Sequence, residues 1–187
     1  ALQLLENGKY DEAVAAFEAL GDYADSAEQI TEARYRKALK TLESGAYNEA
    51  LSQLEPLGDY KETQENIELC YFNLGMKAVE EDDVTAAAEH YAHVNAAHAE
   101  EMQQAFCDKG IEIYNAGDEA HAQEYFDLVT EESLLPQINA AYYARGLALV
   151  EDADYDAALA IFEKLGDYED CAEQIQRVHY LLSLIHI

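Results

Sequence analysis

The sequence predicts an all-α fold: an α-α superhelix, or solenoid, of about five helical hairpins repeating every 35–37 residues. Three observations carry this reading. First, one pattern recurs: GKYDEAVAAFEAL from Gly8, GAYNEALSQLEPL from Gly45, DDVTAAAEHYAHV from Asp82, GDEAHAQEYFDLV from Gly117 and ADYDAALAIFEKL from Ala153. Second, alanine stands five residues after every one of these origins, at Ala13, Ala50, Ala87, Ala122 and Ala158. Third, a small residue stands seven before each, at Ala1, Ala38, Gly75, Gly110 and Gly146.

Each hairpin then follows in order. After the origin, Phe17, Leu54, Tyr91, Phe126 and Phe162 stand nine residues on, and Leu20, Leu57, Val94, Val129 and Leu165 twelve on. With the alanines these form one stripe of a short helix of about three turns. Before the origin, Leu2, Leu39, Met76, Ile111 and Leu147 precede it by six, and Leu5, Leu42, Val79, Tyr114 and Val150 by three. Tyr35, Phe72, Cys107 and Tyr143 precede it by ten, which completes the apolar face of a longer helix. The origin itself is a tight turn, where glycine ends the long helix.

The loops between hairpins repeat as well, as LGDYADS from Leu20, LGDYKET from Leu57 and LGDYEDC from Leu165. Gly21, Gly58 and Gly166 are expected in the left-handed conformation that closes a helix. Asp22, Asp59 and Asp167 are expected to cap the following one, with Ser26 and Gln29 as a capping-box alternative. Pro136 falls in the first turn of a long helix, which proline tolerates.

The pattern G-x-Y-x-x-A-x-x-x-F-x-x-[AL], preceded by a small residue in the first helix, resembles the tetratricopeptide repeat. Gly8, Tyr10, Ala13, Phe17 and Leu20 carry it first, then Gly45, Tyr47, Ala50, Leu54 and Leu57. The match spans nearly the whole chain, residues 1–182 reading as a single tetratricopeptide-like solenoid. Two departures stand out: the period exceeds the family's 34, and Lys37, Lys109 and Arg145 occupy a first-helix site where that family has an apolar residue. The resemblance implies a concave groove, lined by the first helices, that holds a peptide or a partner helix.

Composition narrows function. The chain has 11 Lys+Arg against 39 Asp+Glu, a net charge of −28. Such a field repels phosphate backbones and attracts a basic partner. No run of about 20 apolar residues marks a membrane span. The chain starts at Ala1, within a long helix, and the last six residues read LSLIHI, which resembles the translation of a transposon end used in sequencing-library preparation. The segment is therefore expected to be a fragment of a larger gene, with residues 183–187 a non-native tail, His186 included. Association or fraying at the two ends is expected with it.

Candidate chemistry is sparse. His90 and His93, three apart near His98, Glu89, Glu100 and Glu101, are the one pair spaced to share a zinc ion on a helix face. A solvated helix face is the simpler explanation, since Tyr91 and Val94 are the core positions there. His121 and His179 stand alone. Cys70, Cys107 and Cys171 lack metal-type spacing and read as packing residues. The carboxylate run Glu80–Asp83 reads as ordinary loop surface, and no EF-hand or phosphate loop appears. Tyr71, Phe72, Phe106, Tyr142 and Tyr143 are the candidate partner-binding residues, as rigid contact area on the long helices. Core packing explains the same spacing.

The expectation is thus a non-catalytic scaffold binding a protein or peptide, without a cofactor. A stiff acidic spacer or oligomerisation segment is the alternative, and a metal-responsive module at His90 and His93 a third.

Overall fold

A computed structural model describes residues 1–21, 23 and 25–185, with every side chain among them except that of Ile185. The capping expectation at Asp22 and the reading of His186 lie outside the described residues. Among the described residues there is no strand, and eleven α-helices pack against their neighbours in sequence order. Two compact units emerge, residues 1–102 and 103–187.

In the first unit α1 (Leu2–Glu6) pairs with α2 (Tyr10–Glu18), α3 (Ser26–Glu43) with α4 (Tyr47–Leu54), and α5 (Thr63–Glu80) with α6 (Val84–Tyr91). Helix α7 (Ala96–Ala116) opens in this unit and continues into the second. There α8 (Glu119–Phe126), α9 (Leu135–Glu151), α10 (Tyr155–Leu165) and α11 (Cys171–Ile185) follow. Pro136 occupies the first turn of α9.

The repeat signature is the core. All five alanines of the short helices are fully buried, as is Ala38. Buried cores form hairpin by hairpin: Leu5, Ala13, Phe17 and Ala33 in one, and Tyr35, Ala38, Ala50, Leu54 and Cys70 in the next. Leu149, Ala158, Phe162, Cys171 and Val178 form another. Glycine replaces alanine on the long helices where an aromatic ring leans in. A Cβ on Gly110 would stand 2.5 Å from the Phe126 ring, and one on Gly146 2.7 Å from Phe162. At Gly75 it would collide with the end of Met102 instead, because α7 brings that side chain over the same spot. Ala1, at the equivalent position of α1, is exposed.

All five origins have positive φ, from +61° at Asp82 and Ala153 to +95° at Gly117. The turn therefore keeps its left-handed geometry even where the residue is not glycine. The inter-hairpin glycines depart from expectation. Gly58 has φ +59°, ψ −125° and Gly166 φ +62°, ψ −115°, a region glycine alone enters readily, and not the left-handed helical cap.

Capping also differs from expectation. Glu62, not Asp59, holds the N-cap position of α5, and no side chain caps that helix. Asp25 precedes α3 in the same way, and Ser26 is already inside the helix, its hydroxyl donating back to the Tyr23 carbonyl at 2.5 Å. At α11 the N–H groups of Glu173 and Gln174 donate to the Asp170 carbonyl, so Asp170 and not Asp167 opens that helix. The cause is the tight turn after each loop tyrosine. The N–H groups of Ser26, Thr63 and Cys171 donate to the carbonyls of Tyr23, Tyr60 and Tyr168, which carries the chain three residues past the aspartate before helix begins.

Candidate interaction surface

Each inter-hairpin loop after the first is tied to the preceding long helix, and the tie takes two chemical forms. Where the loop reads LGDY, a long-helix tyrosine reaches the acidic residue that opens the next helix. Tyr35 donates to Glu62 at 3.1 Å, and Tyr143 donates to Asp170. In both, the loop tyrosine packs edge-on against the helix tyrosine: Tyr60 on Tyr35 with centroids 5.6 Å apart, Tyr168 on Tyr143 at 6.0 Å. The Asp170 carboxylate and burial together push the Tyr143 hydroxyl up to about 12.

Where LGDY is missing, a buried polar side chain takes over. Glu68 on α5, 8% exposed, accepts from the Asn95 N–H at 3.3 Å and from Asn95 Nδ2 at 2.7 Å, with His98 Nδ1 at 2.8 Å. Gln103 on α7 is fully buried, donating to the Leu128 carbonyl and accepting from the N–H groups of Thr130 and Glu131. Both stand fourteen residues before their origins, Asp82 and Gly117. Burying such groups is tolerated because each is satisfied. Neither residue carries a sequence signal, since a lone Glu or Gln on a helix reads as surface.

The histidines separate accordingly. His93, exposed, stacks on Tyr71 with centroids 4.2 Å apart, and His90 faces the same ring at 6.0 Å. His98 stacks instead on Phe72 at 4.6 Å and belongs to the Glu68 network. Among the described residues no group of three His, Cys, Asp or Glu side chains is placed to hold a metal ion.

The aromatic candidates fall in different environments. Phe106 is fully buried. Phe72 lies under His98, and Tyr143 is bonded to Asp170. Tyr142 donates to Gln123 at 3.1 Å and carries the Lys164 ammonium 4.1 Å over its ring. Tyr71 is half-buried, its ring covered by the two histidines.

The cysteines lie in the core. All three are free and buried, and burial raises each thiol, that of Cys70 to about 11. Such thiols are poor nucleophiles at neutral pH. The lysines at the site eight before the origin pair with acids, Lys37 with Asp11 at 2.7 Å and Lys109 with Glu112 at 3.4 Å. Arg145, at that site in α9, has its Nε buried without a hydrogen-bond partner among the described residues.

Among the described residues no helix is long and apolar enough to cross a membrane. Compared with protein-family models, curated proteins and solved structures, the chain matches none.

Proposed function

We propose that this chain is a tetratricopeptide-like, non-catalytic scaffold that binds a protein or peptide partner, with Tyr71, His90 and His93 as its contact face in the first unit. The observation that carries this reading is how the polar and nucleophilic side chains are used. The thiols are buried in hairpin cores, and Glu68, Gln103, Glu62 and Asp170 hold loops. Tyr71 on α5, His90 on α6 and His93 just after α6 form a part-exposed aromatic and imidazole cluster, which offers rigid amphipathic area of the kind that anchors interfaces. The acidic surface favours a basic partner and makes the association salt-sensitive.

The test is cross-linking capture at physiological salt with wild type and with a Tyr71→Ala, His93→Ala variant, whose melting temperature is checked in parallel. A partner enriched by wild type and lost by a stably folded variant supports the reading. If the two capture the same proteins to the same extent, the scaffold reading at this face fails and a structural spacer accounts better for the chain.

A further inference from the structure

The tie between an LGDY loop and a long-helix tyrosine closes twice within the chain. Leu57 and Tyr60 pack in the cluster of Tyr35, which donates to Glu62. Leu165 and Tyr168 pack in the cluster of Tyr143, which donates to Asp170. The first loop supplies the same parts as Leu20, Tyr23 and Asp25. The helix tyrosine belongs ten residues before the origin, and ten before Gly8 falls ahead of Ala1. Leu20 and Tyr23 accordingly stand 50% and 73% exposed. Asp25 is set as Asp170 is. Gln174 donates to one oxygen of Asp170 at 2.9 Å, and Tyr143 donates to the other. Gln29 donates to one oxygen of Asp25 at 3.0 Å, and among the described residues nothing donates to the other.

The last helix holds the complement. Tyr180 follows the loop tyrosine Tyr168 by twelve residues, as Tyr35 follows Tyr23. Val178, two before Tyr180, is fully buried, as Ala33 is two before Tyr35. Tyr180 therefore holds on α11 the register that Tyr35 holds on α3. No loop follows α11 among the described residues, and Tyr180 is 64% exposed. Tyr23 and Tyr180 are thus the two most exposed large hydrophobic side chains described, and they are opposite halves of one tie.

We infer that the chain assembles head to tail with a second copy of itself. Tyr180 on α11 of one copy enters the open first loop of the next, its hydroxyl donating to Asp25 and its ring against Tyr23. Such a contact joins two different surfaces, so each added copy leaves one of each free, and rings or filaments follow. Seating Tyr180 there lays the end of α11 over the place of α1. Helix α1 is five residues long, with no side-chain cap and Leu5 as its one buried residue, so it is the element that yields. Each copy carries −28, and assembly strengthens as salt screens that repulsion. Capture of a basic partner at Tyr71 weakens with salt instead, so the two associations differ in sign. The contact uses neither Tyr71 nor the histidines and stands whether or not that face binds a partner.

Sedimentation of the whole chain at low and high salt, at concentrations up to about 0.1 mM, tests the inference. Wild type should form species larger than a monomer that grow with concentration and with salt. Tyr180→Ala, and separately Tyr23→Ala with Asp25→Ala, should each weaken the association about tenfold or more. All three side chains are exposed, so both variants should melt close to wild type. A mixture fixes the polarity. The first variant keeps the open loop and the second keeps Tyr180, so together they should pair one to one and grow no further. The inference is overturned if wild type stays monomeric throughout, if either variant alone assembles like wild type, or if the mixed variants fail to pair.

Discussion

The Tyr35 hydroxyl donates to Glu62 Oε2 at 3.1 Å, and Tyr143 makes the same bond to Asp170, each pair spanning 27 residues. The repetition of donor, acceptor and spacing in separate units marks a device for fixing the angle at which one hairpin follows another. Tyr35→Phe should therefore cost about 1 kcal/mol in urea unfolding, the usual net value of a part-buried hydrogen bond. Tyr143→Phe should lower the melting temperature of the second unit. Combining Tyr35→Phe with Glu62→Gln should cost less than the two separate effects added, and strict additivity would count against a direct bond.

Gly110 faces the Phe126 ring so closely that even one added carbon must displace it. Gly110→Ala should destabilise measurably and Gly110→Leu by roughly 1–3 kcal/mol or more. Phe126→Leu should recover part of the Gly110→Ala loss by vacating the space. A Gly110→Ala protein that melts like wild type would show that α7 and α8 are not in this contact.

Ala153 holds φ +61° at a turn where three of the five origins are glycine. The left-handed region costs an L-residue roughly 1–2 kcal/mol, of which glycine's greater freedom in the unfolded chain returns a part. Ala153→Gly is expected to stabilise by about 0.5–1 kcal/mol. Thermal unfolding checks the sign, and destabilisation would refute the strained turn.

Glu32 resists protonation. Burial favours its neutral form, but bonds from Lys61, Arg36 and Tyr60 outweigh burial and hold the carboxyl at about 2. A group depressed on folding contributes stability that is complete above its unfolded value near 4.5 and lost as pH falls toward 2. Between those limits Glu32→Gln should show a shallower loss of melting temperature than wild type. Parallel acid titration curves for the two proteins would remove Glu32 as the cause.

The hairpins were legible because their contacts recur at fixed offsets. Ala13 and Phe17, or Gly110 and Phe126, answer to one helical period and one turn, and five copies make the rule visible. The capping reading at Asp59 missed because Thr63 turns back onto Tyr60, a choice made by the whole loop and not by one residue. Glu68 and Gln103 were invisible for a related reason. They do the same work as the tyrosine–acid pairs with different chemistry, so no repeated letter marks them.

The aromatic candidates divided along the same line. Spacing placed Tyr71, Phe106 and Tyr142 at comparable positions on their helices, yet only the neighbours decide which one meets solvent. Phe106 is enclosed, whereas Tyr71 has only imidazole over it.

The three buried thiols turn the molecule into its own stopwatch. Cys70 and Cys171 sit in separate hairpin cores, with Cys107 buried on α7, so none can meet an alkylating reagent until its surroundings open. Mass spectrometry of time-quenched labelling would then give an opening free energy for each stretch of the array. Cooperative unfolding predicts one shared rate. An array that comes apart piecemeal predicts three.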